Sequence, residues 1–304
     1  MKCKFCDNNA VIELRAYNLK LCDEHFISFI ENRVEKTIRK YKLFNREEKI
    51  LIGISGGKDS LNTAYILNKL QYNVEGIYID LGIGEYSKRS KEKVLNFSEK
   101  TGIKIHIYDI REDFGMGITE IARILHRKPC SVCGVIKRYI LNRFAYEHGF
   151  SVIATGHNLD DEVATLFSNV LSWQEGYLAR QNILLPQRDE KLVKKAKPLA
   201  LISERESAAY ALLRGIDYIK EECPNAHGAT SKFYKHILNQ IEERAPSTKL
   251  RFYLEFIRRG RRFFEQDTKE GETQLKPCEV CGFPTTRKVC QYCTIKKEIQ
   301  KRRG

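Results

Sequence analysis

The chain has 304 residues, of which 42% are hydrophobic and 30% charged, and Lys plus Arg exceed Asp plus Glu by 53 − 39 = +14. No stretch approaches the roughly 20 apolar residues of a membrane span, and the start, "MKCKFCDNNA", lacks the apolar core of a signal peptide. We therefore expect a cytoplasmic protein without a membrane partner. The positive charge favours nucleic acid as a partner, although a generally basic proteome explains it equally well.

The first thirty residues contain a metal-ligand pattern. Cys3-x2-Cys6 is followed, after 15 residues, by Cys22-x2-His25. Two close pairs brought face to face by a hairpin supply the four tetrahedral ligands of a structural zinc ion. A segment this short cannot build its own core, so metal binding would supply its folding free energy. The pattern predicts an N-terminal zinc-binding module over residues 1–30.

The central part of the chain alternates between strand-like and helix-like patterns. Strand-like runs begin at residue 49 and recur at 74–81, 103–110, 150–157 and 196–201; helical patterns cover 61–70, 87–101, 117–127, 131–148, 160–171 and 203–215. This alternation predicts an α/β domain, a parallel sheet with helices on both faces, which we assign to residues 31–265. Ligands of such sheets bind beyond the carboxyl ends of the strands. The segments "SGGKDS", "DLGIGEYS" and "TGHNLDDE" are expected at that edge.

The first of these segments has the parts of a phosphate-binding loop. It is not a Walker A sequence, because that motif needs a glycine five positions before the final Gly-Lys, and Gly53 is one place away from that position. In addition, Asp59 follows Lys58 where the motif needs Ser or Thr. Glycines let backbone N–H groups approach an anion, and the dipole of the following helix points at the site. The predicted cradle comprises Ile54, Ser55, Gly56, Gly57, Lys58, Asp59 and Ser60.

Three cysteines belong neither to the N-terminal metal pattern nor to the C-terminal one described below. Cys130 and Cys133 form a close pair before a helical pattern, and Cys223 lies 90 residues further on. They fit three interpretations: sulfur transfer through a persulfide and a disulfide, a buried structural thiol cluster, or an iron–sulfur cluster on three thiolates that leaves one iron without a protein ligand. Only a folded chain could bring them together.

The C-terminal part combines basic segments with a second metal pattern. In "RFYLEFIRRGRRFFEQ" (251–266), arginines alternate with aromatics, which suits phosphate contacts and base stacking, although a buried aromatic stripe explains the phenylalanines better. Cys278-x2-Cys281 is followed, after eight residues, by Cys290-x2-Cys293, again four zinc ligands. We therefore predict a C-terminal zinc-binding module with a basic tail over residues 266–304.

These motifs together resemble a known family. "SGGKDS" resembles the PP-loop of the ATP pyrophosphatase superfamily, whose members split ATP between the α- and β-phosphates and adenylate a substrate. "GHNLDDEVAT" (156–165), "PCSVCG" and "EECP" are similar to segments of the tRNA 2-thiolation enzymes, and the terminal zinc patterns resemble the TtuA-like group. The resemblance covers essentially the whole chain. It implies a Rossmann-like PP-loop fold and ATP-dependent thiolation of a tRNA uridine at C2.

The resemblance also assigns roles to individual residues. It implies a [4Fe-4S] cluster on Cys130, Cys133 and Cys223, which we favour over the persulfide. With Asp59, Lys137 and Asp161 become catalytic candidates. Without the resemblance, Lys137 would be interpreted as a surface lysine, and either Asp160 or Asp161 could merely cap a helix. Mg-ATP would occupy the PP-loop, and its adenine would contact the following residues: Ile79, Asp80 and Gly156.

The implied partners are tRNA, a ubiquitin-like sulfur donor that ends in a thiocarboxylate, and a second copy of the chain. The favoured product is 2-thio-ribothymidine in the T loop, and 2-thiolation of the wobble uridine comes second. Two rivals from other classes remain. A PP-loop ligase or amidotransferase would use an amine and need no triad of cysteines, whereas a non-catalytic zinc-ribbon RNA-binding protein would leave "SGGKDS" and "GHNLDDE" unexplained.

The cluster assignment predicts the metal content of the protein. Purified without oxygen, it should contain about four irons per chain besides zinc, the complement of one cubane cluster. Replacement of Cys130, Cys133 or Cys223 by Ala should remove the iron and leave the zinc, as measured by metal analysis. Iron retained in all three variants would contradict the assignment and favour the persulfide.

Overall fold

The structure, a computed structural model, describes residues 1–226, 230–268 and 274–303. Its strands are β1 Ile12–Leu14, β2 Leu19–Leu21, β3 Ile50–Ile54, β4 Val74–Asp80, β5 Ile105–Asp109, β6 Val152–Thr155, β7 Leu184–Leu185, β8 Lys194–Ala196, β9 Lys276–Pro277 and β10 Pro284–Thr285. Its α-helices are α1 Asp23–Lys40, α2 Lys58–Lys69, α3 Gly84–Thr101, α4 Ile110–Phe114, α5 Ile118–Ile124, α6 Pro129–Glu147, α7 Leu159–Leu171, α8 Glu175–Leu178, α9 Glu204–Leu213, α10 Thr230–Arg244, α11 Thr248–Glu255, α12 Arg261–Thr268 and α13 Gln291–Arg303. In the described ranges, every helix is too short or too polar to cross a lipid bilayer.

The central sheet has six strands in the order β5-β4-β3-β6-β8-β7. All neighbouring pairs are parallel except β7 and β8, so the predicted α/β fold is confirmed. From β3 the chain adds strands outward to β5, then returns to place β6 on the other side of β3. This reversal opens a crevice beyond the carboxyl ends of β3 and β6, the position where doubly wound sheets bind ligands.

The far side of the sheet differs from the sequence prediction. The strand expected at 196–201 is wrong in its bounds, because β8 ends at Ala196 and the following residues form a turn. Pro198 lacks the N–H that a central strand must donate, which explains the early end. The antiparallel edge strand β7 was not predicted, since its two residues are too few to show a period of two.

Each face of the sheet has its own hydrophobic core. One core contains Ile50, Ile52 and Ile54 of β3 and buries residues of α1, α2, α7 and α9. The other contains Leu51, Ile77 and Ile153, covered by α4, α5, α6 and α13. Because successive strand residues point to opposite faces, the run "ILIGI" supplies both cores, as expected for a strand buried on both sides.

The N-terminal segment joins the first core directly. Cys22 and His25 flank the start of α1, whose Phe26 is fully buried. On the same helix, the Glu31 carboxylate accepts hydrogen bonds from the Tyr210 hydroxyl at 2.8 Å and from Arg214 at 2.6 Å, and it pairs with Lys69. These contacts tie α1, the helix next to the N-terminal metal pattern, to α2 and α9.

The C-terminal segment packs on α6 in the second core. The Tyr292 ring stacks on Tyr139 of α6 at a centroid distance of 3.8 Å and an interplanar angle of 11°. Its hydroxyl donates a hydrogen bond of 2.7 Å to Asp113, which also accepts from Tyr108. The second metal pattern is therefore fixed to the helix that begins with Cys130 and Cys133.

The arginine–aromatic segment forms a continuous helical stretch from α11 through a π-helical turn, Phe256–Gly260, into α12. Phe256 is buried, as the aromatic-stripe interpretation expects, whereas Phe263 is 76% exposed. The expected domain boundary between residues 265 and 266 falls inside α12. Residues 269–273 and Gly304, which belong to the predicted C-terminal module, lie outside the described part of the chain.

The contact between the C-terminal segment and α6 predicts a stability effect. Tyr292→Phe keeps the ring stack but removes the hydrogen bond to the Asp113 carboxylate, so the free energy of unfolding should fall by about 1–2 kcal/mol. Urea unfolding of the zinc-loaded protein measures this change. Tyr177→Phe is the control, since that ring is 61% exposed and should change stability by much less. Equal effects of the two variants would contradict the contact.

Candidate active site

A cavity of about 740 Å³ lies between α6 and the carboxyl end of the sheet. The phosphate-loop residues Ser55, Gly57, Asp59 and Ser60 line it on one side. The first turns of α6 and the segment around Cys223 line the other side. The structure thus brings together the predicted ATP cradle and all three inner cysteines, although they come from distant parts of the sequence.

The PP-loop conformation depends on hydrogen bonds within the loop. The Ser60 hydroxyl donates to the Gly57 carbonyl at 2.9 Å and accepts from the Ser55 N–H at 3.1 Å. Gly56 has φ +80°, and a Cβ there would lie 2.6 Å from the hydroxyl of Ser90, so only glycine fits. The first N–H groups of α2, which begins at Lys58, have no acceptor within the helix and are available for a phosphate.

Gly156, after β6, makes the closest approach to this loop. A Cβ on Gly156 would lie 2.7 Å from both the Asp59 carbonyl carbon and the Ser60 nitrogen. A side chain is therefore excluded, and the end of β6 rests directly on the first turn of α2. Gly156 lines the cavity, as does Ile79, the predicted adenine contact on β4.

Asp80, the other predicted adenine contact, does not line the cavity. Asp80 is buried, and its carboxylate accepts a hydrogen bond from the Gly82 N–H at 2.9 Å and pairs with Arg111 at 3.4 Å. Because these groups occupy its carboxylate, Asp80 orders the turn after β4. A contact between Asp80 and adenine remains a prediction, and the backbone of Asp80 would have to make it.

Lys58 and Asp59 belong to a chain of charges along the loop. The Lys58 ammonium pairs with Asp59 at 3.1 Å and with Glu204 of α9 at 3.0 Å, and Lys58 is not among the residues that line the cavity. The Asp59 carboxylate lines the cavity and accepts a hydrogen bond of 2.5 Å from Ser207. Burial raises the pKa of Asp59, and the charge of Lys58 only partly offsets this.

The two aspartates of "LDDE" have different partners. Asp161 forms the capping box of α7 with Asn158, and its carboxylate also pairs with Lys235 at 2.6 Å. Lys235 in turn pairs with Glu204 at 3.0 Å, so Asp161 ends the charge chain that starts at Asp59. Asp160 is buried, pairs with Lys249 at 2.6 Å and accepts from the Glu204 N–H. Asp161 is thus the capping residue, and it does not line the cavity.

Cys130, Cys133 and Cys223 line the mouth of the cavity. Cys130 is exposed and its thiol donates to the Asn225 carbonyl at 3.2 Å, while the other two cysteines are partly buried. Lys137 lies one helical turn after Cys133 and lines the same cavity. Burial raises the pKa of Cys133, and the positive charge of Lys137 opposes this.

The terminal cysteines form two compact clusters. In each, the four predicted ligand atoms lie within 4.8 Å of one another: Cys3, Cys6, Cys22 and His25 at one end, Cys278, Cys281, Cys290 and Cys293 at the other. The Cys278 sulfur accepts the Cys290 N–H at 3.2 Å. Although burial opposes it, such backbone hydrogen bonds lower the pKa of Cys278 to about 6, which favours the thiolate that zinc requires.

In the part of the chain that the structure describes, these two clusters are the only groups of ligand atoms so close together. The three inner thiols are more widely spaced around their cavity mouth. That spacing suits a cluster, in which each thiolate binds a different iron, better than a single ion, around which all ligands converge. Three soft sulfur donors are the ligand type that iron–sulfur clusters use.

Comparison with known proteins agrees with this geometry. A family profile of the PP-loop domain matches residues 28–232, and the profile of the N-terminal LIM domain of 2-thiouridine synthetase TtuA matches residues 2–27. The tRNA-5-methyluridine(54) 2-sulfurtransferase of Thermotoga maritima is 46% identical over 100% of this chain and 99% of its own length. The enzyme of the same name from Pyrococcus horikoshii is also 46% identical, over 98% of this chain and 96% of its own length.

This chain belongs to the TtuA-like PP-loop family. A solved structure of the same architecture is the U34-tRNA thiolase NcsA from Methanococcus maripaludis with its [4Fe-4S] cluster, with a TM-score of 0.80 and 28% identity over 98% of this chain and 96% of that one. The family resemblance read from the sequence motifs is therefore confirmed.

Sequence reasoning missed three basic residues of this TtuA-like cavity, Arg138, Lys195 and Lys197. Lys197 pairs with Glu162 at 2.7 Å. Burial lowers the pKa of Lys195, and the positive charge of Arg138 lowers it further. Lys195 and Lys197 are two residues apart, so both lie on one face of an extended segment. The sequence prediction missed this signal because it placed the strand at 196–201.

The PP-loop geometry predicts the consequences of two substitutions in the TtuA-like site. Asp59→Ala and Lys58→Ala should slow conversion of ATP to AMP, Asp59→Ala by on the order of 10²-fold, because the loss of their ion pair disturbs the loop that must be preorganised around the phosphates. Both variants should keep their iron. Lys93→Ala, which breaks an exposed pair with Asp217, is the control and should leave AMP formation unchanged. Normal AMP formation in both loop variants would show that the loop does not bind ATP.

Proposed function

We propose that this protein is an ATP-dependent tRNA sulfurtransferase that converts 5-methyluridine 54 of the T loop into its 2-thio derivative. One observation carries the proposal: a single cavity holds the PP-loop, Lys137 and the three inner cysteines. The 46% identity to enzymes named for this reaction, over the full length of the chain, selects the T loop as the substrate position.

The first half of the reaction would use the PP-loop. The phosphates of Mg-ATP lie on the N–H groups at the start of α2, and the adenine extends towards Ile79 and Gly156. The uridine O2 attacks the α-phosphorus, a new O–P bond forms, and the bond to the β-phosphate oxygen breaks as pyrophosphate leaves with the electron pair. Adenylation turns a poor leaving oxygen into AMP. Lys137 would stabilise the negative charge that develops on the α-phosphate.

The second half requires a sulfur nucleophile at C2 of the activated base. When bound by Cys130, Cys133 and Cys223, a [4Fe-4S] cluster would supply an iron without a protein ligand, where inorganic sulfide can be held. Lys137, on α6, lines the cavity that the cysteines and the PP-loop also line, so the same ammonium can act in both halves. Sulfur adds at C2, the C–O bond breaks, and AMP leaves with the former uridine oxygen.

The motif suggested a catalytic role for Asp161, but in this proposal Asp161 has a positioning role. Its carboxylate fixes Lys235, Lys235 fixes Glu204, and Glu204 fixes Lys58 beside Asp59. We propose that Asp161 positions the PP-loop through this chain of charges, while Asp59 faces the phosphates. Although burial opposes it, attraction by Asp161 and Glu204 raises the pKa of Lys235, so this ammonium stays charged across the physiological range.

The remaining assignments of the proposal concern the ends of the chain and its partners. The two terminal clusters would hold structural zinc, because each offers four protein ligands and no open position. The tRNA would contact these modules and the basic segments. A ubiquitin-like thiocarboxylate protein would supply the sulfur, and the enzyme would act as a homodimer.

A second candidate function is 2-thiolation of the wobble uridine. The observation in its favour is the overall similarity to NcsA, described as a U34-tRNA thiolase, at a TM-score of 0.80. The chemistry would be the same. Only the part of tRNA that reaches the cavity would differ.

Mass spectrometry of tRNA nucleosides from a strain that lacks the gene separates the two candidates. The strain should lose 2-thio-ribothymidine and keep its wobble thiouridine. The wild-type gene should restore the nucleoside, whereas a gene with Cys133→Ala should not. Loss of wobble 2-thiouridine with 2-thio-ribothymidine intact would favour the second candidate, and loss of neither would contradict tRNA thiolation.

A further inference from the structure

The cavity contains more positive charge than the PP-loop chemistry uses. Among the residues that the structure describes, Lys137, Arg138 and Lys195 have no carboxylate within ion-pair distance, and all three line the cavity. The acidic residue in the lining is Asp59, which Lys58 already neutralises. Lys137 has a role in the proposed reaction, but Arg138 and Lys195 have none. Two neighbouring cations without a counter-ion repel each other unless an anion binds between them.

The sheet and α6 both direct these two charges to the same end of the cavity. Lys195 pairs in register with Ile153, so its side chain lies on the sheet face that α6 covers. The Arg138 guanidinium lies across Gly134 on α6, where a Cβ would be 3.0 Å from its Nη1 atom. Glycine inside a helix costs about 0.5–1 kcal/mol relative to alanine. This glycine leaves room for the guanidinium beside the cavity.

From this arrangement we propose that Arg138 and Lys195 form a second anion site, which binds the backbone phosphodiester of the nucleotide being thiolated. The inference rests on the proposed tRNA substrate. An arginine fork and a lysine together suit a phosphodiester, since the guanidinium donates two parallel hydrogen bonds and the ammonium adds charge. A base that enters an enzyme cavity must leave its stack, and its sugar and phosphates stay at the opening.

The exposure of Arg138 favours RNA over a protein tail. Arg138 is exposed to solvent, so it marks the rim of the cavity, where the phosphates of an extruded nucleotide would remain. The C-terminal carboxylate of a sulfur-donor protein would have to reach the cysteines with the end of its chain. The Arg138 guanidinium also lies across Gly134, next to Cys133, so nearness to the cysteines does not separate the two ligands, and the outcomes given below distinguish them.

Salt-dependent binding of an unmodified tRNA transcript to the cluster-loaded enzyme tests the proposal. Arg138→Gln and Lys195→Gln should each weaken binding and reduce the slope of log Kd against log salt concentration by about 0.7–0.9, the value of one phosphate contact. The affinity for ATP should stay the same. At saturating tRNA, turnover should recover towards that of the wild type, because the contact contributes to tRNA binding and not to the chemical step.

The matched controls are a lysine and an arginine on the same elements. Lys194→Gln changes the neighbouring residue of β8, which points to the other face and pairs with Glu48 at 2.6 Å. Arg143→Gln changes an arginine of α6 that pairs with Glu147 at 2.7 Å. Neither control lines the cavity, so both should keep the wild-type slope.

Three outcomes would overturn the proposal. An unchanged slope in both cavity variants would show that neither residue contacts phosphate. A parallel loss of ATP affinity would assign the two cations to the nucleotide. Unchanged tRNA and ATP binding with reduced sulfur transfer would assign them to the donor. The binding curves do not depend on turnover, so an enzyme that binds tRNA in this way but thiolates no base would refute the proposed function and leave this inference standing.

Discussion

The position of α6 across one face of the sheet is the constraint on which the site depends. Ile136 and Ile140 are buried against the sheet, so the helix cannot rotate without exposing them. Given that orientation and the helical period, Cys133 and Lys137 must face the crevice beyond β3 and β6. Apolar packing therefore places Cys130, Cys133 and Lys137, whereas Cys223 comes from a separate segment.

Two kinds of charge meet around this crevice. Behind the PP-loop, carboxylates and ammonium groups alternate from Asp59 to Asp161, and each charge is offset by its neighbour. Inside the cavity, the positive charges of Lys137, Arg138 and Lys195 remain uncompensated. The paired charges support the loop, and under the proposed function the unpaired charges attract anions to the cavity. The groups that support the loop are then largely separate from those that bind substrate, with Asp59 common to both.

The fold and the two terminal clusters of Cys and His side chains could be predicted from the sequence because their signals are local. Alternating strand and helix patterns determine the sheet, and ligand spacing determines the terminal clusters. The functions of Lys58, Asp80 and Asp161 were harder to predict, since a motif reveals a residue type but not its partners. Their partners, Glu204, Arg111 and Lys235, lie far away in sequence. Arg138 could not be identified from the sequence, because only the structure shows that its guanidinium lies across Gly134.

The attachment of the C-terminal segment to α6 has a consequence for the way the protein matures. A nascent chain folds from its N-terminus as it leaves the ribosome. The sheet and α6 are synthesised well before α13, yet Tyr139 of α6 remains without its stacking partner until Tyr292 has emerged and the last metal ligands have closed around their ion. The helix that carries Cys130 and Cys133 is thus completed only after nearly the whole chain has been made. Under the proposed function, assembly of the cluster on that helix is linked to a finished polypeptide.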